Sequence, residues 1–509
     1  MHLLKGKIFG ITRGVLVGLA LILQLVFMFG LVLYLQEDAS YLYIIVELSS
    51  VILALKLLNE GTDYKYYWIL IVLALPVFGY FLYFMWGRSS VNNKTNKRIR
   101  KSEAKASRWL KQDHHVMEEL KRLHPNKVQI SRYLSRQGYP LYKNTDVKYF
   151  DIGEKMLDSL IADLEKAERF IFLEYFIIDE GEIWSRIQNV LYRKAAKGVE
   201  VRVLIDDFGC LLINDNDFHE DMKKHGVKLE VFGKIHQDVN RFTFNFRDHK
   251  KIAVIDGNVG YTGGVNLADE YANIIERFGH WKDTGVRLEG EGVWSLTCFF
   301  LEMWEAVLNK DIENYTLFRP TVKMDVGGYV QPYMGGPHKI RNNPSEFTYT
   351  HLINKARDYL YITTPYLILD AKMKEDIITA ASSGVDVRII TPKKYDKWYV
   401  HMVTIYNYGL LMENGVKIYE YSKGFIHAKN VVSDDECATC GTINMDYRSL
   451  HMHYECGVLI SENQAVMDIK NDFLETVKQS ERISYQSWKK RPLRHKVIQW
   501  ILKIFSPML

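Results

Sequence analysis

Two patterns of apolar residues divide the chain. From about Thr145 onward, short β-rich runs alternate with amphipathic stretches of helical period, the succession expected of βαβ units. "MLDSLIADLEKA" (156–167) predicts a helix, "RFIFLEYFII" (169–178) a buried strand, "IWSRIQNVLYRKAAKG" (183–198) a helix and "VEVRVLIDD" (199–207) a strand. The same order then recurs. "EFTYTHLINKA" (346–356) reads as a helix, "RDYLYITTPYLI" (357–368) as a strand, "KMKEDIITAASSG" (372–384) as a helix and "VDVRIITP" (385–392) as a strand. Ala167-Glu-Arg answers Ala356-Arg-Asp, and "GVEVRVLI" from Gly198 answers "GVDVRIIT" from Gly384, with offsets drifting from 189 to 186 to 178. Insertions in loops between fixed elements produce such drift. The expected fold class is α/β: two duplicated α/β domains in a pseudo-twofold arrangement, preceded by N-terminal transmembrane helices.

The N-terminal pattern is different. Gly14–Leu35 is a run of 22 residues interrupted by one polar side chain, Gln24, long enough to cross about 30 Å of hydrocarbon. Trp68–Trp86 is a second run of 19 residues with a tryptophan at each end, where an interfacial belt places them. Between them Tyr41–Leu58 is apolar but carries Glu47 and Lys56, so it is compatible with spanning, lying in the interface or packing on the other two. Lys5, Lys7 and Arg13 precede the first run. Arg88, Lys94, Lys97, Arg98, Arg100 and Lys101 follow the last without an acid among them. The positive-inside tendency puts both flanks in the cytoplasm and favours an even number of crossings. The expected organisation is a membrane region at 1–88, a basic linker at 89–130, the two repeats at 131–325 and 326–485, and a basic amphipathic tail at 486–509. In that tail Arg491, Arg494, Lys496 and Lys503 alternate with Leu493, Val497, Ile498, Trp500, Ile501 and Leu502, a pattern suited to an anionic lipid surface or to an ordinary docking helix.

Composition adds little. A net charge of +5 on 509 residues is mild and gives no broad basic face of the kind nucleic acid requires. The five cysteines have no framework spacing and suit a reducing compartment. Cys437 and Cys440 form a CxxC with no second pair of zinc spacing. No metal and no cofactor is expected.

Chemistry enters through a repeated polar constellation. "RDHKKIAVIDGNVGYTGGVN" carries His249, Lys251, Asp256, Gly263 and Asn266. "FIHAKNVVSDDECATCGTIN" carries His427, Lys429, Asp434, Gly441 and Asn444 at the same offsets. Histidine and lysine two apart share one face of a strand. Packing preserves an apolar face in a repeat, but nothing in packing demands the same histidine, lysine and asparagine twice. Two imidazoles, two ammonium groups and two amides suit an anionic phosphodiester. Lys251, Lys429, Asn266 and Asn444 would neutralise the non-bridging oxygens, while one imidazole attacks phosphorus and the other handles the leaving and entering alcohols. A carboxylate behind each ring would set its protonation. Asp283 in "HWKDTGV" and Glu455 in "HYECGVL" are the candidates, each following its own asparagine. Asp256 and Asp434 belong to the same candidate catalytic set, yet their place at strand ends beside turns reads as bracing rather than reaction.

HxKxxxxD followed by GGxN or G(S/T)xN, twice in one chain, resembles the phospholipase D superfamily. Thr442 stands at the variable position of the second copy and would join the phosphate-binding set. The likeness runs from about residue 130 to the end. With "ILIVLALPVFGYFLYFMWGR" and "RPLRHKVIQWILKIFSPML" the chain is similar to the bacterial cardiolipin synthases of that superfamily. The resemblance implies a two-step transphosphatidylation. A histidine, by family precedent His249, takes a phosphatidyl group from one phosphatidylglycerol and releases glycerol; a second phosphatidylglycerol accepts it, with His427 as acid and base. It implies phosphatidylglycerol and cardiolipin in the bilayer as partners rather than nucleic acid, residence in a bacterial plasma membrane with the catalytic region cytoplasmic, and is compatible with an oligomer. The alternatives are another phospholipase D-type transphosphatidylase or hydrolase, a membrane-tethered nuclease, or a lipid-binding scaffold without catalysis.

Overall fold

The duplication read from the sequence appears as two sheets with one topology. The computed structural model describes residues 38–58, 64–84, 94–234, 245–312 and 314–506. The first repeat holds β1 (Thr145–Phe150), β2 (Phe170–Tyr175), β3 (Glu200–Asp206), β4 (Lys228–Phe232), β5 (Lys251–Ile255), β6 (Val259–Gly263), β7 (His280–Lys282) and β8 (Gly285–Gly290). The second holds β9 (Tyr329–Gly335), β10 (Tyr359–Thr363), β11 (Asp386–Pro392), β12 (Lys417–Tyr421), β13 (Gly424–Ile426), β14 (Asn430–Ser433), β15 (Cys437–Gly441), β16 (Glu455–Ser461) and β17 (Ser480–Arg482). One sheet runs β1-β8-β6-β5-β2-β3-β4. The other runs β9-β16-β15-β14-β10-β11-β12, the same order with β17 added at its edge. In each, one side (β2-β3-β4 or β10-β11-β12) is parallel and the hairpin side antiparallel.

Both faces of each sheet are covered, so β2, β5, β10 and β14 are buried throughout, including the polar Glu174, Lys251, Asn430 and Ser433. The helices Gly153–Leu164 and Glu182–Ala196 cover one face of the first sheet, and Val293–Leu308, buried almost all round, covers the other. The eight helices and strands named from the sequence are all present within a few residues. "RDYLYITTPYLI" is shortened most, ending at Thr363 two residues before Pro365, which has no N–H to continue the ladder.

The N-terminal part departs from expectation in one respect, and one of its expected spans is not covered. Gly14–Leu35 lies outside the described residues. The second apolar run is two helices, Tyr64–Ala74 and Pro76–Leu82, broken at Leu75 where the proline that follows supplies no N–H. The helix Asp38–Leu58 packs on both. Among the described residues no helix is long and apolar enough to cross a membrane.

The basic stretch after this region is more than a tether. Its helix Lys94–Ala106 buries Asn96, Ile99, Ser102 and Ala106, packs on Val293–Leu308, and its Lys105 ion-pairs with Glu305 at 2.6 Å. The tail is a docked helix, Leu493–Ile504, against Trp398–Glu413. Leu502, Ile504 and Phe505 join a cluster containing Val400, Val403, Trp68 and Phe78, yet Leu493 and Trp500 remain 76% and 61% exposed.

Candidate active site

The two repeats meet through the strands that carry chemistry. β13 leads into His427 and pairs in parallel with β7, which leads into Asp283. The backbone around Asp248 pairs in parallel with that at Tyr454, which leads into Glu455. Two backbone hydrogen bonds close the arrangement: His249 N to Tyr454 O at 3.0 Å and His427 N to Lys282 O at 2.7 Å. Each histidine therefore sits beside the other repeat's carboxylate. His249 Nδ1 donates to Glu455 Oε1 and Oε2 at 2.9 and 3.0 Å, and His427 Nδ1 donates to Asp283 Oδ2 at 2.6 Å. A carboxylate accepts only, so the Nδ1–H tautomer is fixed in both rings and Nε2 is the nitrogen left for substrate. Both imidazoles line one cavity of about 390 Å³, together with Asn266 and Asn444.

Lys251 and Lys429 lie beneath that floor, fully buried. Lys251 Nζ donates to the carbonyl of His249 at 2.5 Å and Lys429 Nζ to that of His427. Burial pushes the Lys251 ammonium down to about 7 and Lys429 down to about 8, with Glu455 and Asp283 respectively opposing the shift. Burial, then Lys251 and Lys429, hold His249 well below its ordinary value. Burial and Lys429 bring His427 down to about 4, against the pull of Asp283. Burial is the largest cause of all four shifts, and an anion brought against these groups would oppose them by favouring their charged forms.

The remaining candidates are placed elsewhere. Asp256 accepts from the backbone N–H of Glu168, Arg169 and Phe170 at 2.7–2.9 Å. Asp434 accepts from those of Arg357, Asp358 and Tyr359 at 2.8–3.0 Å. Each sits in a turn with φ of +54°, a left-handed conformation that aspartate tolerates, at the end of β5 or β14 away from the histidines. Each carboxylate ties its turn to the backbone that opens β2 or β10. The Thr442 hydroxyl donates to Glu455 Oε2 and accepts from Cys456 N at 3.0 Å.

The two asparagines differ. Asn266 accepts from Ile177 N at 3.1 Å and donates to Tyr271 at 2.7 Å, whereas Asn444 Oδ1 is buried without a hydrogen bond. Sequence reasoning missed His453, whose ring lies 5.3 Å from that of His249, and the cavity-lining Arg247 and Arg448. His249, His453 and Glu455 bring three potential ligand atoms within 4.8 Å of one another. A cation held there would have to break the His249–Glu455 hydrogen bond.

A family model described as "Cardiolipin synthase, PLD-like domain" matches residues 160–275 and 349–477, spanning both motifs. The chain is 33% identical to a cardiolipin synthase of Listeria monocytogenes over 89% of its own length and 95% of the relative's. It belongs to the cardiolipin synthase family. A cardiolipin synthase of Alkalihalophilus pseudofirmus is 32% identical, with 87% of this chain and 88% of that one covered. A second family model, "Phospholipase_D-nuclease N-terminal", matches residues 48–88. The fold is shared with phosphatidylserine synthase of Haemophilus influenzae, at TM-score 0.56 and 16% identity over 71% of this chain and 93% of that one.

Proposed function

We propose that the protein is a phosphatidyltransferase joining two phosphatidylglycerol molecules into cardiolipin with release of glycerol. The observation that carries this reading is the crossed pair of histidine–carboxylate contacts on one cavity, in a chain of the cardiolipin synthase family. Nε2 of His249 attacks phosphorus. The bond from phosphorus to the head-group glycerol oxygen breaks, and that oxygen takes the proton carried on Nε2 of His427. The phosphorus–nitrogen bond now holds the phosphatidyl group. A hydroxyl of the second phosphatidylglycerol then gives its proton to Nε2 of His427, its oxygen bonds to phosphorus, and His249 leaves. Lys251, Lys429, Asn266 and Asn444 stabilise the pentavalent charge, the lysines by charging as the anion arrives. Glu455 and Asp283 hold the rings and their tautomers. Asp256, Asp434 and Thr442 act on the scaffold.

The same reading divides the chain into a membrane region at 1–88, a basic segment at 89–130, catalytic units at 131–325 and 326–485, and the tail at 486–509. It attaches the protein to the bacterial plasma membrane through Gly14–Leu35 and the 68–86 region, with the catalytic units in the cytoplasm. Support comes from the apolar sequence of the first run and from side chains that the described helices turn outward, including Ile45, Ile52, Leu55, Leu493 and Trp500. Head-group-labelled phosphatidylglycerol in mixed micelles tests the reading. Cardiolipin and free glycerol in equal amounts are expected; phosphatidic acid as the main product would make the protein a hydrolase, and cleavage of single-stranded DNA without lipid turnover a nuclease.

A further inference from the structure

The pseudo-twofold axis relates positions around the cavity that ought to match if both lobes had the same task, and three do not. Two residues before each histidine stand Arg247 and Phe425. Four residues after each asparagine stand Arg448 and Glu270. Two residues before each carboxylate stand His453 and Trp281. All six line the cavity. Trp281 packs on His427 at 5.8 Å between centroids much as His453 packs on His249 at 5.3 Å. The lobe beside His249 is thus cationic and hydrogen-bonding, and the lobe beside His427 is aromatic and acidic.

Most of the cavity's cations are already matched. Arg277 bonds to Glu270 at 2.8 Å, Lys397 lies 3.4 Å from Asp396, and Arg247 donates to Gly233 O at 2.6 Å beside Asp206 at 3.7 Å. Arg448 makes no ion pair or side-chain hydrogen bond among the described residues; Tyr399 and Asp446 act on it only electrostatically. Beside it His453 is 8% exposed with neither ring nitrogen hydrogen-bonded, although its Nδ1 lies 3.7 Å from Glu455, and Asn444 Oδ1 is likewise unbonded. Buried polar groups left open around an unmatched guanidinium point to an anionic ligand with further oxygens to share.

We propose that Arg448, with His453, forms a second phosphate subsite that binds the phosphodiester of the acceptor lipid. This deepens the synthase reading and rests on it. Cardiolipin carries two phosphodiesters joined by one three-carbon glycerol bridge, so while Lys251 and Lys429 hold the reacting phosphorus, the acceptor's phosphorus lies one bridge away in the same cavity. Water and glycerol carry no such group. The subsite therefore selects an anionic alcohol over a neutral one and turns a hydrolase scaffold toward transfer.

The test uses the full chain in mixed micelles with phosphatidylglycerol as donor, and sets glycerol 3-phosphate against labelled glycerol as competing soluble acceptors while cardiolipin is followed in parallel. Arg448→Gln is expected to reduce transfer to glycerol 3-phosphate and to phosphatidylglycerol roughly 10- to 100-fold more than exchange with glycerol, the loss of one charged hydrogen-bonding partner. Arg448→Lys should recover part of the preference. Because the readout is a ratio of acceptors within one sample, partial misfolding leaves it unchanged. An equal fall with both acceptors, or an unchanged ratio, overturns the subsite. Wild-type protein that prefers glycerol 3-phosphate over glycerol but makes no cardiolipin overturns the synthase reading and leaves the anion subsite standing.

Discussion

The two repeats agree where phosphorus is handled and differ behind it. Histidine, lysine and asparagine recur at identical spacing, and the backbones that carry them have one topology. Their supports are built from different parts. In the first repeat Gly264 is required, because a Cβ there would come 2.0 Å from Asp283 Oδ1. In the second the longer Glu455 leaves room for Thr442, whose hydroxyl bonds to that carboxylate. Between His249 and Lys251 the strand carries Lys250, fully buried in an ion pair with Glu174 and 3.2 Å from Asp248. The equivalent place in the second repeat is Ala428. A duplicated unit keeps the groups that touch ligand and is free to exchange an ionic backing for an apolar one, since either fills the same volume when complete.

The sharpest way to break the equivalence is to remove one ring at a time. His249→Ala and His427→Ala should each lower cardiolipin formation by roughly a thousand-fold or more, since one removes the nucleophile and the other the acid and base. Their chemistry should still differ. The variant that retains the nucleophile accumulates a phosphatidyl-enzyme stable to mild denaturation, and the other forms none. Radiolabelled donor followed by gel analysis reads this directly, and label on His249→Ala alone would exchange the two roles.

Next in size are the lysines. Lys251→Met and Lys429→Met should each cost about 10²–10³ in turnover, yet both should stabilise the empty protein near neutral pH. The folded values of about 7 and about 8 lie below the ordinary 10.5, so the unfolded chain binds more protons in between. Wild-type stability therefore rises with pH from about 7 toward 10, and each methionine variant loses its share of that slope. Thermal unfolding of the full chain in detergent across this range measures it. A methionine variant less stable than wild type at pH 7 would mean that the lysine holds the fold rather than the phosphate.

The carboxylates come third. Asp283→Asn and Glu455→Gln keep the shape of each support but remove its charge, and about 10- to 100-fold in activity is expected from either. The comparison predicts unequal losses. Glu455 also receives Thr442, whereas Asp283 also receives the backbone N–H of Thr284 at 2.8 Å, which no side-chain change removes. Thr442→Val should therefore mimic a fraction of Glu455→Gln.

Much of this was legible in the chain before any coordinates. The alternation of periods gave both repeats, and repetition itself picked out the polar residues, because packing has no use for them. The crossing of the carboxylates was not readable. It depends on β7 pairing with β13, about 140 residues away, and local spacing cannot say which carboxylate reaches which ring. The partners of Thr442 were not readable for a related reason, since they arrive from β16. Arg448 and His453 left a signal of another kind. They stand where the copies disagree, and a search for what repeats passes over them. Ile99, Ser102 and Ala106, at helical spacing within a basic run, marked the docked helix that charge alone had hidden.

The smallest effects belong to the aspartates, and here the comparison should hold in full. Asp256→Ala and Asp434→Ala each leave three backbone N–H groups without their acceptor, at a cost of about 1–3 kcal/mol, and place alanine in a left-handed turn. Glycine separates the two causes: it accepts a φ of +54° without strain but restores no acceptor. If bracing is the role, Asp→Gly remains destabilised in both repeats while Asp→Asn recovers much of the loss. Turnover per folded molecule stays at the wild-type level throughout, because neither side chain reaches the cavity. An Asp434→Asn variant with native stability and lost turnover would show instead that the turn in the second repeat serves the chemistry, and the two halves would part even in their bracing.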